Sequence, residues 1–308
     1  MALRVGPSCL FLLLGSTALA QLSVPVFRSE GRLVVLSATA VDRRSRPVTN
    51  LRADEFRVYD EGRLQILSRF SRGRDLAARV LLLMDASGSM SGELRSASAR
   101  MAALQILAAL QPADEVALAS FDDSYREIQP FTADKARVLA GLEAIRPYGS
   151  TAIHDSLERA ARELARRGEG RRAVILITDG IDTSSRRTAD DVIARSRALD
   201  VPIYTVSVVS PLDDPASSEF SGRDRATAAA AGQKALARYA EMSGGAAFTV
   251  SDFRGLKGAA DRIAAELSCQ YRLGYDPPEG PPRFRQVEIR STRPGVSIRT
   301  RRGYLPQS

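Results

Sequence analysis

The rhythm of apolar and polar positions changes twice along this chain. Residues 22–74 read as β structure. Leu33–Val41 is an apolar, partly β-branched run, Asp42–Pro47 is a polar break, and Phe56–Tyr59 alternates before a turn at Asp60–Arg63. Leu64, Ile66 and Ser68 resume the alternation, which is the pattern of a hairpin. From residue 78 to 268, solid apolar runs alternate with helical spacing. Val80–Met84 and Ala173–Ile177 are apolar throughout, as expected of strands buried on both faces. Glu115–Phe121, Pro202–Val208 and Ala246–Val250 are further strands. Between them the spacing predicts helices: one with Leu94, Ala97, Met101, Leu104 and Ala108 inward, one opened by Thr132 as its cap, and others over 154–166, 188–199, around Leu236 and Tyr239, and from Phe253 to Leu267. Ser210–Asp224 is polar and is expected to be a mobile loop. Residues 270–304 return to β alternation, with Pro294–Gly295 as a turn.

Strand–helix alternation implies an α/β fold with a doubly wound, mainly parallel sheet. About fifty residues is marginal for an independent core. The strands of 22–74 and 270–304 are therefore expected to complete one small β-sandwich, with the α/β segment inserted into it or flanked by it.

Composition narrows the function. The chain has 308 residues and a formal charge of +8, carried almost wholly by arginine spread along its length. Aromatics are 6% and tryptophan is absent, so the clustered charge and stacking platform of a nucleic-acid binder are missing, and no nucleic-acid partner is expected. Residues 1–20 read as a secretory signal peptide: Arg4, an apolar run Cys9–Leu14, and a small-x-small cleavage site at Ala18–Ala20. The run is short of the roughly 20 residues that span a bilayer. An exported mature chain, periplasmic or secreted, without a transmembrane segment is expected. Cys9 leaves with the leader, and Cys269 then reads as a small buried apolar residue or the site of a bridge between chains.

The candidate chemistry follows the first buried strand. Asp85–Ala86–Ser87–Gly88–Ser89 has the pattern D-x-S-x-S. Gly149–Ser150–Thr151 lies before a helix, and Thr178–Asp179–Gly180 ends the second solid apolar strand. In an open α/β sheet, ligands bind beyond the carboxyl ends of the strands, so these groups are expected on one rim. Hydroxyls and carboxylates without sulfur or imidazole make a hard oxygen cage, which suits Mg²⁺, or Mn²⁺ or Ca²⁺, rather than Zn²⁺ or Cu²⁺. Gly88 permits a tight turn that aims both serines at one point.

Asp85, Ser87, Ser89, Thr151 and Asp179 in this order resemble the metal-ion-dependent adhesion site of von Willebrand factor type A (VWA) domains. The flanking Pro47–Gly62, Tyr271–Tyr275 and Arg302–Tyr304 resemble the exported VWFA-related proteins typical of Acidobacteria. The resemblance implies that Ser87 and Ser89 bind the metal directly. It implies that Thr151 binds directly or through water depending on state, and that Asp85 and Asp179 supply the anions. It further implies a protein partner whose Glu or Asp completes the shell. An adhesion-type binding module is thus expected, not an enzyme. A structural or scaffold protein whose metal only fastens loops and whose β-sandwich does the binding is the alternative, and a metal-dependent hydrolase is a weaker third. The sequence has no G-x-S-x-G elbow, no H-E-x-x-H and no phosphate-binding P-loop. His154, the lone histidine, lies close after Thr151, where a catalytic reading would make it a base for Ser87 or Ser89. Asp182 is open to a role behind the site or as a helix cap. Asp122 and Asp123 sit on the same rim.

Overall fold

The computed structural model describes residues 33–73, 77–167, 170–196, 199–209, 223–278, 280–281 and 283–306. The leader expected over 1–20, residues 22–32 of the first β segment, and 210–222 of the loop expected at Ser210–Asp224 lie outside them.

Four strands precede the α/β segment: β1 (Val34–Asp42), β2 (Phe56–Asp60), β3 (Arg63–Gln65) and β4 (Arg69–Arg72). The segment itself runs β5 (Ala78–Asp85), α1 (Glu93–Ala109), β6 (Glu115–Phe121), β7 (Tyr125–Thr132), α2 (Lys135–Ala144), α3 (Ile153–Ala165), β8 (Arg171–Thr178), α4 (Ala189–Ser196), β9 (Ile203–Val208), α5 (Arg223–Ser243), β10 (Ala247–Val250) and α6 (Phe253–Ser268). After it come β11 (Tyr271–Tyr275), β12 (Arg285–Ser291), β13 (Val296–Thr300) and β14 (Gly303–Tyr304).

The central sheet has the order β10-β9-β8-β5-β6-β7, parallel except for the edge strand β7. Alternate residues of β5 serve two cores. Val80, Leu82 and Met84 pack with residues of α1, α2 and α6, while Leu81 and Leu83 pack with residues of α3, α4 and α5. That double burial is why the strand carries no polar residue between Arg79, at its amino end, and Asp85. The expected doubly wound α/β fold is present.

The flanking strands form two four-stranded antiparallel sheets, β13-β1-β11-β4 and β14-β12-β2-β3. Strands from before and after the α/β segment pair directly, with Leu36 opposite Leu273 and Val58 opposite Ile289. Their shared core holds Leu36, Leu51, Val58 and Leu273 with an aromatic centre, where the Phe56 and Tyr271 rings lie 5.1 Å apart. The Tyr271 hydroxyl donates to Val48 O at 2.8 Å and accepts from Leu51 N at 3.0 Å. The sandwich is thus built from both ends of the chain.

The sandwich joins the α/β layer at the amino ends of its strands. Arg171, which opens β8, is buried and donates to Leu267 O (3.1 Å) and to Asp114 (3.3 Å), and Asp114 also accepts from Ala78 N at 2.7 Å. Gly73 N bonds Gln270 O at 2.6 Å, and a Cβ on Gly73 would strike that oxygen and the Arg171 side chain. The carboxyl ends of the strands are left on the far side. Among the described residues, no helix is long and apolar enough to cross a membrane.

Four expectations need correction. Helix α1 buries Ala99, Ala102, Ala103, Ile106 and Leu107, while Leu94 is 78% exposed and Leu104 39%. Alanines on both faces left the phase of the helix ambiguous, and the packing against α6 takes the small residues, which let two helices approach closely. Second, the α2 cap is Asp134, whose side chain accepts from Ala136 N at 3.0 Å; Thr132 ends β7. Third, β7 was not among the expected strands. It is a half-exposed edge strand with Pro130 and irregular pairing to β6, a setting in which alternation is weak and proline is tolerated. Finally, the expected hairpin is present, with β2 pairing β3, but its second strand stops at Gln65, and Leu64 and Ile66 face solvent at 57% and 90% exposure.

One buried polar cluster staples the sandwich. Asp60 is wholly buried and accepts from Arg285 Nε (2.8 Å), the Tyr275 hydroxyl (2.9 Å) and the Tyr304 hydroxyl (2.8 Å). Asp60→Ala would leave a buried guanidinium without its carboxylate. A loss of about 3–5 kcal/mol is expected in urea unfolding; a loss under about 1 kcal/mol would show that the cluster is not a staple.

Candidate metal-binding site

The strand order reverses between β5 and β8: β6 and β7 lie on one side and β9 and β10 on the other. A crevice forms at such a switch point, outside the carboxyl ends of the strands. Asp85 ends β5, and Thr178–Asp179 ends β8, so both carboxylates flank that crevice.

Asp85 is 3% exposed. Its Oδ2 accepts from the Thr178 hydroxyl at 2.5 Å, across the gap between the strands, and its Oδ1 accepts from Ser87 N at 2.9 Å. The second bond turns the chain after β5, and a short 3-10 turn over Gly88–Ser91 follows. The turn brings the Ser87 and Ser89 hydroxyls to 3.0 Å from each other. Gly88 does not earn its place through a left-handed backbone. Its N–H bonds Gly149 O at 2.8 Å, and a Cβ would meet that oxygen at 3.1 Å. Gly149 is the residue with positive φ, at +84°, a conformation natural to glycine.

Thr151 is buried, and its backbone is held by three bonds: its N–H donates to the Thr183 hydroxyl (2.9 Å), and its carbonyl accepts from Thr183 N (2.9 Å) and Ser184 N (3.0 Å). Further bonds lace the rim: Ala86 N to Phe121 O (2.7 Å), Tyr148 N to Ala86 O (2.8 Å) and Ala152 N to Asp122 O (2.7 Å). All five residues singled out in the sequence therefore stand on loops tied to one rim.

The electrostatics are those of an under-neutralised anionic site. Burial pushes the Asp85 carboxyl up to about 6; the nearby Asp179 charge adds to this, and the Ser87 and Thr178 hydrogen bonds oppose it. Asp179 Oδ2 is buried without a hydrogen-bond partner, although Arg95 Nη1 stands 3.8 Å away. Buried polar atoms are ordinarily paired. Two buried carboxylates, one with an orphaned oxygen, beside two close hydroxyls fit a hard divalent cation. Among the described residues no three His, Cys, Asp or Glu side chains cluster as metal ligands, so a cation at this rim would rely on hydroxyls together with the two carboxylates.

Sequence reasoning missed Thr178, whose hydroxyl joins Asp85 to β8, and Arg95, which also donates to Ser89 O at 2.9 Å. The signal for Thr178 was its place directly before Asp179. Arg95 lies in the first turn of α1, which brings its side chain back over the motif. Other rim residues have local roles. Asp122 is buried, accepts from Ser124 N at 3.0 Å and pairs with Arg126. Asp182 accepts from Ser185 N and His154 N, both at 3.2 Å, so it caps the start of α3. His154 Nδ1 lies 2.6 Å from the Tyr239 hydroxyl. Its ring meets Tyr239 and Asp182, not the serines, so the geometry does not support a role as their base. Cys269 is buried and free.

The sequence model of the von Willebrand factor type A domain matches residues 80–181, from β5 to just past β8. A von Willebrand factor type A structure from Catenulispora acidiphila superposes with a TM-score of 0.51 at 14% identity, covering 88% of this chain and 73% of that one. An aerotolerance-related membrane protein from Bacteroides fragilis, with multiple mutations to serines, gives 0.50 at 21% identity, covering 62% of this chain and 98% of that one. These likenesses are of fold. A search of curated proteins finds no match. The α/β segment matches a VWA fold, with the sandwich strands as additions to it.

His154 generates a pH test. Burial lowers its pKa, and Asp182 and Asp155 oppose this. A folded-state value below the unfolded 6.5 means that full stability is present above pH 6.5 and is lost as pH falls through that value toward the folded one. The melting temperature of wild type should therefore fall more steeply than that of His154→Gln between about pH 6.5 and 5. Parallel curves would show that His154 is not linked to folding.

Proposed function

We propose that this protein is an exported, divalent-metal-dependent protein-binding module of the adhesion type. The observation that carries the reading is the orphaned, buried Asp179 Oδ2 on the same laced rim as Asp85 and the Ser87–Ser89 hydroxyl pair. In this reading Ser87, Ser89 and Thr151 supply hydroxyl oxygens, and Asp85 and Asp179 supply negative charge, to Mg²⁺ or to Mn²⁺ or Ca²⁺. Bound metal supplies a positive centre that draws a Glu or Asp from the partner protein. Thr178 and Ser87 N hold Asp85 in place, and Arg95 tempers the charge of Asp179. Export, read from residues 1–20, is part of the same proposal.

The alternative in which metal merely fastens the loops is disfavoured by the backbone bonds among 86–88, 121–122, 148–152 and 183–184, which already fasten them. Nor, among the described residues, does the rim offer a base poised at a nucleophile.

Thermal unfolding of the full chain in EDTA and in each of the three cations is the first test. At a hundredfold excess over Kd, the metal should stabilise by about 2.7 kcal/mol, a rise of about 5–10 °C, and Asp85→Ala should abolish the rise. No rise with any of the three ions would remove the metal from the reading. A second test separates recognition from fastening. Thr151→Ala should abolish metal-dependent capture of an acidic protein ligand and leave melting in EDTA within about 2 °C of wild type; intact capture with lowered melting would mean a fastener.

A further inference from the structure

Beside Thr151 the rim opens into a cleft of about 820 Å³ between the start of β7, one face of α3 and the 184–187 loop. It is continuous with the site, because Ser184, which lines it, donates its N–H to Thr151 O at 3.0 Å, and Asp155 and Ser156 follow Thr151 by only four and five residues. Five arginines line it: 159, 162 and 166 from α3 and its C-terminal end, and 186 and 187 from the loop. Residues 159, 162 and 166 are three and four apart, so they share one helix face.

The arginines fall into two groups. Arg187 pairs with Asp155 (3.1 Å) and with Glu158 (3.0 Å), and Arg162 also pairs with the buried Glu158. These ion pairs neutralise the floor of the cleft. Arg159, Arg166 and Arg186 are exposed and make no ion pair with a carboxylate among the described residues. Arg159 is laid over the Tyr125 ring at 4.8 Å, and the Tyr125 hydroxyl donates to Glu163 at 2.9 Å, which fixes the platform under it. The cleft therefore presents three outward guanidiniums beside the paired Asp155 and Glu158, with Glu163 held by a tyrosine hydroxyl, which leaves an excess of positive charge. Asp123 is the one lining carboxylate that remains without an arginine or tyrosine partner.

We infer that this cleft seats an acidic segment of the partner polypeptide, so that the ligand of the site is a stretch bearing several carboxylates and not one isolated Glu or Asp. The inference rests on the reading of the rim as a metal site that takes the first of those carboxylates. Its spacing follows from geometry. Along α3, at 1.5 Å per residue, Arg159 lies about 12 Å and Arg166 about 22 Å beyond Thr151. An extended peptide covers these distances in about four and seven residues. Acidic side chains about four and seven positions from the metal-bound residue would meet the two guanidiniums. Guanidinium suits the task because its planar fork matches a carboxylate with two parallel donors.

The test is fluorescence anisotropy of a fluorescein-labelled octaglutamate peptide, with octaglutamine as control, against the full chain in Mg²⁺ and in EDTA. The combined variant Arg159→Ser, Arg166→Ser, Arg186→Ser changes exposed side chains only and should melt as wild type does. It is expected to bind octaglutamate about tenfold more weakly in Mg²⁺ at low salt, with the Mg²⁺-induced rise in melting temperature retained. Octaglutamate binding unaltered in the variant, equal binding of octaglutamine, or no binding of either peptide overturns the inference. So does displacement of octaglutamate by inorganic phosphate at matched ionic strength and equal carboxylate-equivalent concentration, which would mark a site for free anions. The two readings fail separately. An unaltered variant together with loss of binding in EDTA sinks the cleft and keeps the metal. A weakened variant with no metal-induced melting shift keeps the cleft and sinks the metal.

Discussion

The candidate site hangs on the burial of one carboxylate at the end of the central strand. From Val80 to Met84, β5 has its side chains committed to two cores, so the next polar residue falls where the sheet ends, and that residue is Asp85. Bonded to Thr178 on one oxygen and to Ser87 N on the other, Asp85 ties the end of β8 to the turn that carries both serines. Remove that carboxylate, and the side-chain bond from β8 and the bond that starts the serine turn are both lost. Burying a charge so completely is costly, and the rise of its carboxyl to about 6 expresses that cost. The rim holds more negative charge than the protein itself offsets, with Arg95 the cation beside Asp179.

The second constraint is the division of the α/β layer into two working ends. At the amino ends of its strands the layer is joined to the sandwich through buried charges and close backbone approaches, with Arg171 and Asp114 the centre of that junction. Such partners leave little freedom, since removing one strands the other without compensation. At the carboxyl ends the loops are bonded mainly to one another, through backbone groups of 86–88, 121–122, 148–152 and 183–184. The result, among the described residues, is a rim whose loops are held in shape by one another. A surface of that kind can present hydroxyls and carboxylates to an external ligand, while the arginine-lined cleft beside it continues the same surface along α3.

Much of this was legible in the order of residues. Solid apolar runs identified β5 and β8, the return to alternation after residue 270 foretold strands that pair with those before residue 74, and D-x-S-x-S with Thr151 and Asp179 marked the rim. These features are local or depend on a period that the chain displays openly. Helix α1 was harder, because alanine is compatible with either face and the leucines that drew attention point outward. Edge strand β7 was hidden by its exposure and its proline, and the Asp134 cap by the neighbouring threonine.

The sequence by itself determined the alternation of elements, the sheet's buried strands and the identity of the five candidate ligands, because burial on two faces demands apolar runs and a turn after such a strand demands short polar residues. Only the tertiary structure decided which groups meet: Thr178 with Asp85 across two strands, Arg95 beside Asp179, and the guanidiniums of α3 and the 184–187 loop along one cleft. Those juxtapositions depend on the sheet order and on the docking of helices against it. Contacts between residues tens of positions apart leave no periodic trace in the chain that makes them.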